Sequence, residues 1–420
     1  MRSLKSKLFS GQMLAVVLRA LTLASRFLLL FYLATKFDLV QMGLFSLYWA
    51  GLQLSASLIP LDVYAQTTRL ILARTEETGS NLEKHFGFLF LAILILAPLA
   101  VYLNAKFGAK LEGLLLILFL FHLTIEVFAT DLSRLLVPLG KPLLSNFSNF
   151  LKSAGWIFPL ILLFELNIAE ISPVTVINLW LGGSIVSVIV ALRLSRLEKF
   201  RLSKIEIDIR WVKAAISGSF VFLIATLLFR SILGVDKFLV SAAYGEEVVA
   251  IYTVYAAGVL GVLALLESGV SAWHYPGMVQ SIRNSNFDLA KSQFSKYFSQ
   301  NIFSAFLLFL GLFLFFPSAA YVFLPDAYFD EISLFFVMSV GVVFYCITMP
   351  FHYVIYAFGR DVYFLMMYGV SLLLMFSWYF LFMKSFDVLG AGLMLSGALF
   401  SISLLRVLFA ARIVVRLGVL

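Results

Sequence analysis

Arg19 and Arg26 interrupt QMLAVVLRALTLASRFLLLFYLA (Gln12 to Ala34), a stretch otherwise apolar enough to cross a bilayer. Seven residues at about 100° each make roughly two turns, so both guanidinium groups share one stripe of one helix. An arginine at the centre of a membrane helix costs about 2.5–3.5 kcal/mol on insertion scales. Two on one face imply that this face looks at protein or water. Snorkelling is the alternative, with Arg19 reaching inward and Arg26 outward. Lys152, Arg230 and Lys237 also fall inside apolar stretches. Facing a common cavity, these cations would make it positive and suited to a phosphate or pyrophosphate.

Carboxylates accompany them. Asp62, Glu126, Asp131, Asp236 and Glu267 lie in or beside apolar runs. Buried carboxylates there can neutralise a positive field, exchange protons or bind sodium during transport. His122 and Glu126 are four apart and share a helix face. Two ligands fall short of a zinc site, so a hydrogen bond or proton relay is the better reading and no metal is expected. Asp236 and Lys237 are neighbours and are expected to point apart, near an outer mouth. Asp62 follows Pro60 close to a helix end and could be interfacial, whereas Glu267 is expected to lie deeper.

The elements that must position these groups follow from composition. Of 420 residues, 62% are hydrophobic and 13% charged, about half the charge of a soluble domain. Apolar segments of about 20 residues occur at about 9–35, 42–65, 84–104, 110–133, 144–165, 173–194, 212–242, 247–272, 297–317, 330–357, 362–383 and 387–410. The chain is therefore expected to be an all-α polytopic membrane protein with twelve transmembrane helices. Lys and Arg gather on one side of this layout, which puts both termini in the cytoplasm. The basic start, MRSLKSKLFS, precedes no A-x-A-like cleavage site and reads as part of an uncleaved first helix. The single cysteine, Cys346, sits in an apolar run and excludes a disulfide frame. The net charge of +8 comes from helix ends and gives no case for nucleic acid.

A basic linker at 195–211 divides the chain into an N-terminal lobe, 1–194, and a C-terminal lobe, 212–420. The lobes look like repeats. Arg26 precedes MGLFSLYWAG and then Asp62; Arg230 precedes AIYTVYAAG and then Glu267. With six helices each, the lobes would be related by a pseudo-two-fold axis along the membrane normal, the substrate path between them. No Walker A, G-x-S-x-G or H-E-x-x-H sequence occurs, so neither ATP hydrolysis nor enzyme chemistry is expected, and no cofactor. Gly182–Gly183 and Gly390-x-Gly392 read as helix-packing positions.

LFRSILGVDKFLVSAAYGEEVVAIYTVYAAG (Leu228 to Gly258) resembles the second-half signature of Wzx-type O-antigen flippases, of the multidrug/oligosaccharidyl-lipid/polysaccharide exporter superfamily. Asp236–Lys237, Tyr244–Gly245 and Ile251–Tyr252 carry the likeness. LATKFDLVQMGLFSLYWAG (Leu33 to Gly51) looks like that family's first outer loop, with Gly43 and Phe45 in place. It departs at Ala34–Thr35, where Gly-Pro or Gly-Ser is usual. The resemblance implies two lobes that open alternately, and a cationic cavity for the sugar-pyrophosphate head of a polyprenyl-linked oligosaccharide, with Arg26 and Arg230 as leading contacts. It also implies a bacterial inner-membrane location and a role in O-antigen or related lipopolysaccharide assembly, beside a polysaccharide polymerase and a chain-length regulator. Coupling to protons or sodium is the accompanying expectation.

Two rivals remain. A cation-coupled multidrug exporter of the same superfamily should line its cavity with carboxylates and aromatics. A membrane polymerase or polyprenyl-phosphate glycosyltransferase should carry a long catalytic loop or a soluble domain, and neither is evident. Twelve helices also argue against a lipid II flippase, whose family typically has two more.

Overall fold

The computed structural model describes residues 2–72, 78–108, 112–195, 205–217, 220–383 and 385–416. The part of the basic linker at 196–204 lies outside the described residues. The described secondary structure is helical and falls into two compact units. One comprises the chain up to Phe37 and Leu44–Leu223; the other comprises Asp38–Gly43 and Ile224–Leu420.

The first unit is built from α1 (Arg2–Lys36), α2 (Leu39–Leu58), α3 (Tyr64–Leu72), α4 (Thr78–Phe107), α5 (Leu114–Leu135), α6 (Pro142–Phe150), α7 (Ile157–Glu165), α8 (Pro173–Ser195) and α9 (Ile209–Ser217). A π-helical turn, Leu151–Gly155, joins α6 to α7. The second unit holds most of α10 (Phe220–Tyr244), then α11 (Glu246–Leu266), α12 (Ala272–Arg283), α13 (Phe287–Phe323), α14 (Asp326–Asp330), α15 (Ile332–Ile347), α16 (Met349–Ala357), α17 (Asp361–Phe382) and α18 (Leu389–Arg416). A second π turn, Glu267–Ser271, joins α11 to α12.

Ten described helices are long and apolar enough to span a membrane. The two other long ones are α2 and α10. They fall short for a physical reason: α2 carries Gln41, Gln53 and three serines, and α10 carries Arg230, Asp236 and Lys237. Outward-facing Leu94, Ile95, Leu99, Phe303, Phe306 and Phe315 present apolar surface, which suits lipid and not water. The protein is therefore multi-pass. Helix α13, at 37 residues, is about 55 Å long against a hydrocarbon core of about 30 Å.

Several expected boundaries shift. The segment expected at 42–65 ends at Leu58. Pro60 lacks an amide hydrogen, and Leu61 and Asp62 turn left-handed at φ 47° and 48°. Asp62 thus sits half-buried in a turn, not within a helix. The segment expected at 247–272 continues through its π turn to Arg283. Asp208 caps α9 by accepting from the amides of Arg210 and Trp211, each at 3.0 Å, and pairs with Lys84 at 3.0 Å. The Trp211 amide first, then Lys84, hold this carboxylate below its usual range. The residues just before α9 thereby dock on α4, where Gly87 leaves room for the Glu206 backbone.

Glycines set the closest approaches. Gly183 lies against Trp156, Gly390 against the Phe382 backbone and Gly392 against Leu334 and Val337, the packing role expected of them, whereas Gly182 faces open space. In the second unit, α15 packs along α18, and a Cβ on Gly341 would overlap the Ser396 backbone. Because backbone cannot yield as a side chain can, Gly341→Ala is expected to destabilise by about 1–3 kcal/mol. Thermal unfolding of the detergent-purified protein measures it; an unchanged midpoint would contradict the packing described.

Candidate functional site

The first unit buries a connected polar cluster. Its parts come from helical spacing. His122, Glu126 and Thr130 recur at four-residue steps along α5, as do Trp49 and Gln53 on α2 and Trp180 and Ser184 on α8. Lys152 comes from the π turn, against which α1, bearing Arg26, packs. Such a turn carries one residue more than an α turn, and π turns recur at functional sites.

Glu126 is the hub. Its Oε1 accepts from Lys152 Nζ at 2.8 Å and from Gln53 Nε2 at 3.2 Å; its Oε2 accepts from Ser184 Oγ at 2.9 Å. Lys152 also donates to Thr130 Oγ1 at 2.9 Å. Glu126 is 1% exposed and Lys152 5%. Ions so deeply buried are stable only when paired and hydrogen-bonded, and this pair is both. Arg26 is half-buried and lies over the Trp49 ring at 5.8 Å. Its Nε has no hydrogen-bond partner among the described residues. With Glu126 negative and Lys152 and Arg26 positive, the cluster keeps one positive charge, centred on Arg26.

His122 does not bond Glu126 as its spacing allowed. Its Nδ1 meets the Tyr48 hydroxyl at 3.0 Å, and its ring packs edge-on to Trp180 at 4.7 Å. Trp156 also stacks on Trp180, at 6.1 Å. Aromatic rings therefore wall the cluster. No group of three or more His, Cys, Asp or Glu residues that could hold a metal occurs among the described residues.

The other expected residues are dispersed. Arg19 is exposed on α1. Asp131 is fully buried in a second network, 3.1 Å from His85 Nε2, with Thr67 on the far ring nitrogen at 2.9 Å and Arg134 at 3.9 Å. In the second unit, Lys237 Nζ lies 3.4 Å from both Asp236 oxygens, and Tyr252 donates to Asp236 at 2.8 Å. Asp236 and Lys237 thus pair instead of pointing apart; the flexible lysine stem folds back because lone buried charges are costly. Arg230 is half-buried on α10. Glu267 opens the π turn of the second unit, and its side chain is exposed.

Sequence reasoning passed over Tyr48, Gln53, His85, Thr130 and Ser184. Each is a polar side chain at helical spacing from a charge, or across from one. It also passed over Arg406, which lies in the apolar run SISLLRVLFAA and is fully buried.

No protein-family profile matches the sequence, and no curated protein matches it. Solved structures do match the fold. A multidrug resistance MATE family transporter of the MOP superfamily, in its inward-facing conformation, aligns with a TM-score of 0.74 over 96% of this chain and 99% of its own, at 13% identity. The fold is that of these transporters. The lipid II flippase MurJ, in an inward closed conformation, aligns with a TM-score of 0.73 over 96% of this chain and 87% of its own, at 16% identity. A MOP superfamily transporter from Pyrococcus furiosus, described as having a binding pocket of reverse polarity, aligns at 0.64 over 97% and 94%, at 15% identity.

Removing one partner of the central pair should strand the other. Glu126→Gln and Lys152→Met are each expected to destabilise by about 3–5 kcal/mol, and the double variant by markedly less. Thermal unfolding of the three variants measures this. Additive single losses would show that the pair is not a unit.

Proposed function

We propose that this protein is a flippase that moves a polyprenyl-pyrophosphate-linked oligosaccharide across the bacterial inner membrane by alternating access, for O-antigen or a related surface polysaccharide. The observation that carries this reading is the charge balance in the first unit. Glu126 neutralises Lys152, and Arg26 remains with an unused donor and partial exposure. A lipid-linked pyrophosphate is the complementary ligand, since a guanidinium forks onto phosphate oxygens. Fold likeness to a lipid II flippase supports transport of a lipid-linked sugar. In this reading Arg26 is the first unit's head-group contact, Arg230 is the second unit's candidate cation taken by itself, and Arg19 stays at the headgroup layer. Lys152 and Lys237, expected as further contacts, act through their carboxylate partners. A polysaccharide polymerase and a chain-length regulator are the proposed partners.

Coupling, on this reading, runs through Glu126. A proton or sodium ion entering the cluster would compete with Lys152 for the same carboxylate, and so change the charge that Arg26 presents. Asp131, Asp236 and Glu267 are secondary candidates, and Asp62, in its turn, is the weakest.

The second reading is a cation-coupled multidrug exporter, which likeness to MATE transporters supports equally. The aromatic wall of Tyr48, Trp49, Trp156 and Trp180 favours it; occupation of Glu126 by Lys152 disfavours it, because a cationic drug needs an available carboxylate.

Deletion of the gene in its native host is expected to abolish surface polymer and accumulate its polyprenyl-linked precursor. Arg26→Ala should fail to restore the polymer, and Arg26→Lys should restore it in part. Normal polymer in the deletion strain, together with raised sensitivity to cationic drugs, would transfer the assignment to multidrug export.

A further inference from the structure

The second unit contains a buried cation that the transport reading does not use. Arg406, on α18, is fully buried, and no carboxylate lies within ion-pair distance of it among the described residues. What surrounds it is aromatic and neutral. Its guanidinium lies over the Tyr345 ring at 4.3 Å. Nη1 donates to the Tyr345 carbonyl and to Thr348 Oγ1, each at 3.2 Å, where α15 gives way to α16. Nε and Nη2 have no hydrogen-bond partner among the described residues.

The identity of those two atoms matters. Nε–H and the adjacent Nη2–H point the same way and form the side-on fork of a guanidinium. That fork matches two oxygens of one carboxylate or phosphate group. Nη1, on the opposite edge, is already anchored, also by Met349 Sδ at 3.7 Å; the Tyr368 hydroxyl lies beside the guanidinium, but neither Nε nor Nη2 meets an acceptor in hydrogen-bond geometry. A buried donor left unmade costs about 1–3 kcal/mol, more when it is charged, and here two such donors are adjacent. A third polar atom nearby is in the same condition. His352, on α16, lies within electrostatic reach of Arg406, and its Nδ1 also lacks a hydrogen-bond partner among the described residues. The His352 ring is fixed by Phe364, at 4.6 Å between ring centres.

We infer that Arg406 is the anchor of a second anion site, one that takes a phosphate-class oxyanion side-on through Nε and Nη2, with His352 as an accessory hydrogen-bonding group. The ligand chemistry is a terminal or bridging phosphate, whether it belongs to a lipid headgroup or to a soluble anion. Chloride can bridge the two N–H groups but offers one acceptor centre where an oxyanion offers one oxygen to each, so it is the poorer match. The cation–π contact with Tyr345 holds the site positive while it awaits its anion, as an adjacent carboxylate would not. The inference stands apart from the transport proposal, since it concerns one unit by itself and none of the residues assigned to the head group.

The test uses the full-length protein in zwitterionic nanodiscs. Inorganic phosphate and pyrophosphate form one arm, and a phosphomonoester lipid doped into the nanodisc forms the other. Binding is read by equilibrium dialysis of the labelled anion and by the shift in unfolding midpoint, against chloride at equal ionic strength. The measurements are made in an Arg26→Gln background, which removes the first unit's proposed head-group contact; oxyanion binding is expected to persist there, which separates this site from the first unit. Arg406→Lys keeps the charge but loses the fork, and is expected to bind at least about tenfold more weakly. Arg406→Met should not bind, and the lysine variant answers the question even where the methionine variant does not fold. Binding in the aqueous arm supports a soluble anion, and binding in the lipid arm alone supports a headgroup. Undiminished binding by Arg406→Lys, stabilisation by chloride equal to that by phosphate, or no oxyanion binding by Arg26→Gln in either arm would each overturn the inference.

Discussion

A full charge inside an apolar protein in an apolar solvent must be matched locally, because water is not there to do it. The Glu126–Lys152 pair is where this constraint bears hardest. Five helical segments contribute to its satisfaction: α2 sends Gln53, α5 sends Glu126 and Thr130, the π turn sends Lys152, α8 sends Ser184, and α1 closes over it with Arg26. None of these side chains is hydrophobic, yet together they specify which helices must be neighbours and in what rotation. Apolar packing alone would tolerate many rotations of smooth helices; a carboxylate with three defined donors tolerates few. The pair thus contributes specificity to the unit more clearly than it contributes net stability.

The two units answer the same constraint differently. In the first, opposite charges meet and the surplus is a half-buried arginine beside a tryptophan face. In the second, Asp236 takes Lys237 and Tyr252, whereas Arg406 meets the Tyr345 ring, one carbonyl oxygen and one hydroxyl. Ring quadrupoles attract a cation without cancelling it. A carboxylate does cancel it. One environment therefore consumes charge and the other preserves it, a difference of chemistry that hydropathy cannot register.

Much of the fold was legible because its signal is coarse. Runs of about 20 apolar residues announce spans whatever their packing, and the all-helical, multi-pass architecture followed from them. The charged positions stood out for the same reason. What the sequence hid was pairing, which is a matter of three dimensions. Glu126 and Lys152 are 26 positions apart and were read as members of opposing sets. Asp236 and Lys237 were expected to diverge because neighbours on a helix do, but a lysine stem is long enough to double back. Arg406 was masked by its own surroundings, since a charge within SISLLRVLFAA resembles a helix-end anchor until its depth is known. Neither π turn has a compositional mark: LKSAG and ESGVS read as ordinary helix.

Those turns have a mechanical meaning. An α-helix transmits rotation faithfully, so a residue's azimuth is fixed by every residue before it. A surplus residue acts as a phase slip of about 100°, after which the downstream segment keeps its own bearing. Beyond Glu267, Met278, Val279 and Ile282 of α12 face inward on a schedule independent of α11. Lys152 and Glu267 both sit within such a slip, where a helix can change its bearing with the least loss of backbone hydrogen bonding. In each unit, then, a charged side chain occupies the joint and not the shaft.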